Sequence, residues 1–260
     1  MKIATFNING IKARMPALLD WLAEASPDIV ALQEIKCVDD AFPRLELDGL
    51  GYNVETCGQK GFNGVAILSK RPVEDLARGL PGDDGDAEAR WIEATVAGDG
   101  GAVRVCSLYL PNGNPAPGAR YEYKLAWMER LRARAIALIE TEAPVLLAGD
   151  FNAIPEARDA ARPDNWRNDA LFLPQTRAAW RSLINLGWSD AIREVTQEDG
   201  VYSFWDYQAG AWQKNNGIRI DHILLSPQAA DRLAGAGIDA AIRGREKPSD
   251  HVPVWVELDL

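Results

Sequence analysis

The chain has 260 residues, a formal net charge of −10, and the apolar and charged fractions of an ordinary soluble globular protein. That acidic balance argues against a general polyanion-coating protein, but it leaves room for a local basic face that binds nucleic acid. Cys37, Cys57 and Cys106 are odd in number and widely spaced, which reads as reduced structural thiols of a cytoplasmic protein and not as a zinc framework. Met1-Lys2-Ile3 runs straight into a strand pattern, so no signal peptide is expected, and no apolar run approaches the ~20 residues of a membrane span.

Lys2 to Ile8 alternates as a strand, and Pro16 opens a helix-like stretch with Leu18, Leu19 and Leu22 apolar. Asp28 to Leu32, Tyr52 to Thr56, Gly64 to Ser69, Trp91 to Val96 and Val103 to Leu110 read as strands. Several follow one another with no helix between, so the chain is not a simple βα alternation. Arg120 to Glu142 is the longest helical pattern, Pro144 ends it, and Val145 to Ala148 is a buried strand. A helix over Ala178 to Leu186 and strands over Ile218 to Leu225, Ile238 to Ile242 and Val252 to Leu258 complete the elements. Strand pairs alternating with covering helices predict an α/β sandwich of two packed, largely antiparallel sheets with helices outside. The candidate functional residues run from position 7 to 251, so 1–260 reads as a single domain.

Polar clusters end or interrupt these strands. Glu34 closes the apolar run Ile29 to Leu32, and Asn7 interrupts the first strand. Their oxygens suit Mg²⁺, a hard cation. Asp150 and Asn152 follow Leu146-Leu147-Ala148-Gly149, and their i, i+2 spacing puts both on one side of an extended chain. There Asp can polarise or deprotonate a water and Asn can donate to a phosphate oxygen. Asp221 and His222 point to opposite faces if they lie on a strand. Asp221 is the better site residue, because a carboxylate orients and charges His251, while His222 is left to structural packing. Asp250 is placed for local hydrogen bonding or for support of the metal site. Tyr109 and Asn112 stand near another strand end, where phenol and amide can meet a phosphate. No nucleophile elbow accompanies Ser249-Asp250-His251, which speaks against a catalytic triad.

Taken in order, FNINGIKAR (6–14), LQEIK (32–36), GQKGFNGVAILSK (58–70), LYLPNG (108–113), GDFNAIP (149–155), RIDHILLS (219–226) and KPSDHVPVWV (247–256) resemble the exonuclease III family of abasic-site DNA endonucleases, with GYNV (51–54) and FWDY (204–207) between them. The resemblance spans essentially the whole chain. It implies a four-layered, DNase I-like α/β sandwich and a Mg²⁺-dependent DNA repair nuclease, with Mn²⁺ expected to substitute. The implied activity is cleavage of the phosphodiester 5′ to abasic sites, with 3′→5′ exonuclease and 3′-phosphatase or phosphodiesterase activity beside it. It implies catalytic roles for Tyr109, Asp150, Asn152, Asp221 and His251, and a metal site drawn from Asn7, Glu34, Asp150, Asn152, Asp250 and His251. Phosphate or DNA contacts are implied for Lys60, Arg90, Asn112 and Lys124, and an abasic pocket for Phe204, Trp205, Trp212, Ile218 and Ile220. A basic face is expected from Lys12, Arg14, Lys36, Lys60, Arg90, Lys124, Lys214, Arg219, Arg245 and Lys247. The expected partner is duplex DNA with abasic sites or blocked 3′ ends, met by a monomer. Rival readings are another phosphoesterase of the same fold, such as a nonspecific nuclease or phosphoinositide phosphatase, and a damaged-DNA binding module without catalysis.

Overall fold

Strands that are apolar without interruption are buried on both faces, and this sets the layering of the computed structural model, which describes residues 1–260. In chain order the strands are β1 (Lys2–Asn7), β2 (Ile29–Gln33), β3 (Asn53–Cys57), β4 (Val65–Ser69), β5 (Val73–Arg78), β6 (Trp91–Ala97), β7 (Ala102–Tyr109), β8 (Val145–Asp150), β9 (Ser189–Asp190), β10 (Asp221–Leu225), β11 (Leu233–Ile238) and β12 (Val254–Leu258). The helices are α1 (Ile11–Ala25), α2 (Arg44–Asp48), α3 (Ala119–Ile139), α4 (Pro174–Ile184), α5 (Ala191–Val195) and α6 (Pro227–Ala230). One six-stranded sheet runs β11-β12-β1-β2-β4-β3 and the other β5-β6-β7-β8-β10-β9.

Each sheet is antiparallel except for one parallel pair, β1/β2 in the first and β7/β8 in the second. A parallel pair needs a crossover, and α1 and α3 supply the two. Between the sheets, Ile3, Ile29, Ala31 and Ile67 of the first meet Ile92, Val105, Ala148 and Ile223 of the second. Alternate residues face outward. Ala4, Phe6, Val30 and Leu32 pack under Leu18, Trp21 and Leu22 of α1. Cys106, Leu108 and Leu147 pack under Trp127 and Leu131 of α3 and Trp180 and Leu183 of α4. The result is the expected helix–sheet–sheet–helix sandwich. Each fully buried aliphatic side chain stabilises it by roughly 1.5–3 kcal/mol. No helix is long and apolar enough to cross a membrane.

Three expectations shift. Helix α1 begins at Ile11, a full turn before Pro16, because the Gly10 and Ile11 amides are held by the Glu34 and Ile35 carbonyls. Helix α4 begins at Pro174, where proline's missing N–H costs nothing. The strand expected over Ile238 to Ile242 lies earlier, at Leu233–Ile238, and a 3₁₀ turn follows over Ala240–Gly244. Strands β5 and β11 escape sequence reading because they are half-exposed sheet edges, where Glu74, Asp75, Gly235 and Gly237 blur the alternation.

Candidate active site

Strand register does the first part of the assembly. Tyr109 pairs with Asp150 across β7/β8, and Asp221 pairs with Asp150 across β8/β10. Directly paired residues share a sheet face, so Tyr109, Asp150 and Asp221 form a row. Gly149 permits this: a Cβ there would lie 1.9 Å from the Leu108 carbonyl oxygen. On the other sheet Asn7 ends β1, and Glu34 follows β2 in the left-handed region at φ 51°. Asn7 joins the two sheets, its Nδ2 donating to Asp150 Oδ2 at 2.9 Å and to Glu34 Oε1 at 3.0 Å.

His251 completes the centre. Its Nδ1 lies 2.8 Å from Asp221 Oδ2, and its Nε2 lies 3.8 Å from Asp150 Oδ2. Asp221 is itself positioned by Ser203, whose hydroxyl donates to Oδ2 at 2.7 Å while accepting the Ile220 and Asp221 amides. Burial works against the imidazolium, but the charge and hydrogen bond of Asp221, with Asp150 behind, raise its pKa to about 10. Burial pushes Asp150 up; His251 opposes this, and the Asp221 and Glu34 charges add to it. Burial also disfavours the Glu34 carboxylate, yet hydrogen bonds from Lys36 and Asn7 hold it below its ordinary range. Burial raises the Tyr109 phenol well above its usual value, and the Glu34 and Asp150 charges push the same way. His222 faces the other side, against Arg219 Nη1 and the Ala153 carbonyl, and burial and Arg219 lower it to about 4. The choice of Asp221 over His222 thus matches strand alternation.

Three of the six expected metal-site residues converge: one ligand atom each from Glu34, Asp150 and His251 lie within 4.8 Å of one another. The two carboxylates fit a divalent cation, while His251, held as imidazolium by Asp221, stands beside them as a hydrogen-bond donor. Asn7 and Asn152 differ from the expectation. The Asn7 side-chain oxygen accepts the Asn9 amide, so its nitrogen faces the carboxylates. The Asn152 oxygen accepts from Asn112 Nδ2 at 3.1 Å, and its Nδ2 donates to the Leu110 carbonyl. Asn7 therefore orients the acidic pair with its side chain, whereas Asn152 reaches Asp150 only through its backbone amide, its side chain being tied to the loop after β7. Asp250 lies at the rim of the same cavity, accepting from Asn9 Nδ2 at 2.9 Å.

The cavity beside this centre has a volume of about 320 Å³. Phe204, Ile218 and Ile220 line it as expected, and Trp166 and Leu171 from the long loop after β8 form further apolar wall. The Phe204 ring meets the His251 ring edge-on at 4.9 Å. Trp205 and Trp212 are not in this wall. Trp205 is 2% exposed and packs edge-on against Trp212 in the core beneath α1, with its indole N–H on Asn215. They lie near the pocket residues in sequence, but the chain turns their rings away.

Arg90 stacks on the Tyr109 ring at 4.9 Å, pairs with Glu88 and donates to the Tyr109 carbonyl. It borders a second cavity of about 530 Å³ that shares Asn112 and Asn114 with the first. Lys60 is exposed on the loop leading to Phe62, which is 67% exposed at that cavity's edge. Two members of the expected basic face are internal. Arg219 is bonded to Asp159 and Asp190. Lys124 is buried, its ammonium donating to the Asn112 and Asn152 carbonyls, and burial lowers it to about 7. Neither side chain reaches the surface. Sequence reasoning missed Asn9, Ser203 and Leu171. Asn9 lies within the 6–14 motif, but nothing in the sequence gives its reach to Asp250.

A model of the endonuclease/exonuclease/phosphatase family matches residues 4–251. Exodeoxyribonuclease III of Haemophilus influenzae is 37% identical over 268 residues, covering 99% of both chains. An AP endonuclease structure from Archaeoglobus fulgidus superimposes with a TM-score of 0.94 at 36% identity, covering 100% of each chain. The 3′ phosphatase NExo from Neisseria, bound to a product DNA hairpin, superimposes with a TM-score of 0.95 at 36% identity over 100% of each chain.

Proposed function

The chain belongs to the endonuclease/exonuclease/phosphatase family, and from that premise we propose a DNA repair nuclease that cleaves the phosphodiester 5′ to abasic sites and also processes 3′ ends as an exonuclease and phosphatase. The observation that carries this reading is the convergence of Glu34, Asp150 and His251 within 4.8 Å, beside an apolar recess. We assign Mg²⁺ as the ion and Mn²⁺ as a substitute, held by Glu34 and Asp150. When bound, the ion supplies stabilisation of charge developing on the leaving oxygen.

The chain's own residues carry the other roles. Asp150, raised by burial, takes a proton from the attacking water as its oxygen bonds to phosphorus. His251 is held as imidazolium by Asp221 and turns Nε2 toward the reacting phosphate, where it donates to a non-bridging oxygen. Tyr109, whose phenol stays protonated, and the second N–H of Asn112 add donors on the opposite side. The P–O3′ bond breaks, and O3′ takes a proton from solvent water while Asp150 later returns its own to solvent, leaving a 3′-hydroxyl and a 5′-deoxyribose phosphate. Phe204, Ile218 and Ile220, with Leu171, offer a bare sugar an apolar recess. An abasic nucleotide has no base stack to lose, so extruding it costs less than flipping a base. We place the activity on duplex DNA with abasic sites or blocked 3′ ends, carried out by a single-domain monomer in the cytoplasm.

The test uses a labelled duplex with a central tetrahydrofuran abasic analogue, and a second duplex ending in a 3′-phosphate. Each is incubated with Mg²⁺ or EDTA. A Mg²⁺-dependent cut 5′ to the analogue is expected, lowered at least ~10³-fold in Glu34→Ala and His251→Ala. An uncut duplex with folded enzyme overturns the reading and directs the search to phosphoinositide and RNA substrates.

A further inference from the structure

Lys124 lies on α3 with its side chain wholly inside the protein. Its Nζ donates to the Asn152 carbonyl at 2.6 Å and to the Asn112 carbonyl at 3.0 Å. These carbonyls belong to separate segments, the loop after β7 and the loop after β8, whose carboxamides meet at 3.1 Å. One amine therefore ties together the two backbones that carry the asparagine pair. Asn152 is also a left-handed residue, φ 44°, whose amide donates to Asp150 Oδ1 at 2.8 Å. A shift of its peptide thus reaches Asp150 directly.

The neighbours are shaped around this amine. Gly113 has φ +90°, and a Cβ there would stand 2.6 Å from Lys124 Cδ and 3.2 Å from Ala170 Cβ. Bare backbone lets the lysine stem pass. Asn114, the next residue, donates to Asp169 Oδ1 at 3.0 Å and accepts the Ala170 amide at 3.1 Å. The clasp therefore extends to the loop that carries Leu171 into the recess. Packing alone does not call for a charge here, because an apolar side chain of similar volume fills such a space without the desolvation cost.

We propose that Lys124 is a positioning residue for phosphodiester hydrolysis: it acts through the Asn112–Asn152 pair, fixing both carboxamides and the Asp150 carboxylate relative to the scissile phosphate, and it does not contact DNA. The inference rests on the nuclease reading. A wild-type enzyme that leaves abasic duplex uncut would overturn that reading, whereas the comparisons below are made against a wild type that cuts.

The experiment compares wild type, Lys124→Met, Asn112→Ala and the double variant. Single-turnover cleavage of abasic duplex is measured with Mg²⁺, and binding of uncleaved duplex is measured in EDTA across a KCl series. Lys124→Met is expected to slow cleavage about 10–100-fold, as loss of a supporting partner does. Duplex affinity should change less than about threefold, and the slope of log K against log[KCl] should stay at the wild-type value. The double variant should fall within about threefold of the slower single variant, because both act through one unit. A slope shallower by about 0.9 would make Lys124 a phosphate contact and overturn the proposal. So would effects that multiply in the double variant. Gly113→Ala, which keeps the amine but displaces its stem, covers the case in which the methionine variant does not fold. It should slow cleavage with an unchanged salt slope, and wild-type cleavage in that variant would count against the clasp.

Discussion

At the scale of single residues, His251 and His222 show how environment divides two identical side chains. His251 donates to the buried Asp221 carboxylate and is raised to about 10; His222 faces Arg219 and is lowered to about 4. If the imidazolium of His251 binds the phosphate, activity persists as pH rises until that proton leaves, near pH 10. Asp221→Asn removes the charge that raises it, so the alkaline limb of kcat/KM should move toward neutral pH and activity at pH 8–9 should fall more than at pH 6. An alkaline limb unmoved in that variant would exclude the imidazolium role. Residue type and strand parity made Asp221 legible in the sequence. The fate of Lys124, Arg219, Trp205 and Trp212 was not legible: each has the right chemistry beside the right motif, but direction into core or cleft depends on backbone turns that residue type does not encode.

At the scale of elements, β8 is the beam on which the site rests. It pairs with β7 on one side and β10 on the other, bringing Tyr109, Asp150 and Asp221 into line. Gly149 makes that close pairing possible, since any Cβ would press on the Leu108 carbonyl. Gly149→Ala should cost about 3 kcal/mol or more, lowering Tm by about 6–12 °C in a chain of this size. Thermal unfolding measures this directly, and a Tm within 2 °C of wild type would show that the ladder yields without strain. Long apolar strands and the α3 helix were readable because their period is strong and both sheet faces are covered. Edge strands β5 and β11 were not, because exposure on one side lets polar residues and glycine interrupt the pattern.

At the scale of the whole molecule, the site exists only where the two sheets meet. Glu34 comes from one sheet and Asp150 from the other, with the Asn7 amide bridging them. A cation bound between the two carboxylates would cross-link the halves of the sandwich and stabilise the folded state alone. Mg²⁺ at about 100 times its dissociation constant should add about 2.7 kcal/mol, a rise in Tm of about 5–10 °C, and Glu34→Ala should abolish the rise. Equal shifts in wild type and variant would place the ion elsewhere. The net charge of −10 is set mostly by acids outside the core, and cations such as Lys12, Lys60 and Lys214 are exposed among them.

The sequence by itself determined the layered α/β class, the family, and the polar groups that end its strands, because hydrophobic period and motif order are local properties of the chain. Glu34, Asp150, Asp221 and His251 were all visible in this way. Only the tertiary structure decided which of those groups meet, since strand register and sheet-on-sheet packing bring together groups as distant in the chain as Glu34 and His251, 217 positions apart. It also decided which lysine faces solvent and which is a buried clasp, because burial is set by neighbours distant in the chain, and it brought Ser203, Asn9 and Leu171 to a centre that no local pattern connects them to.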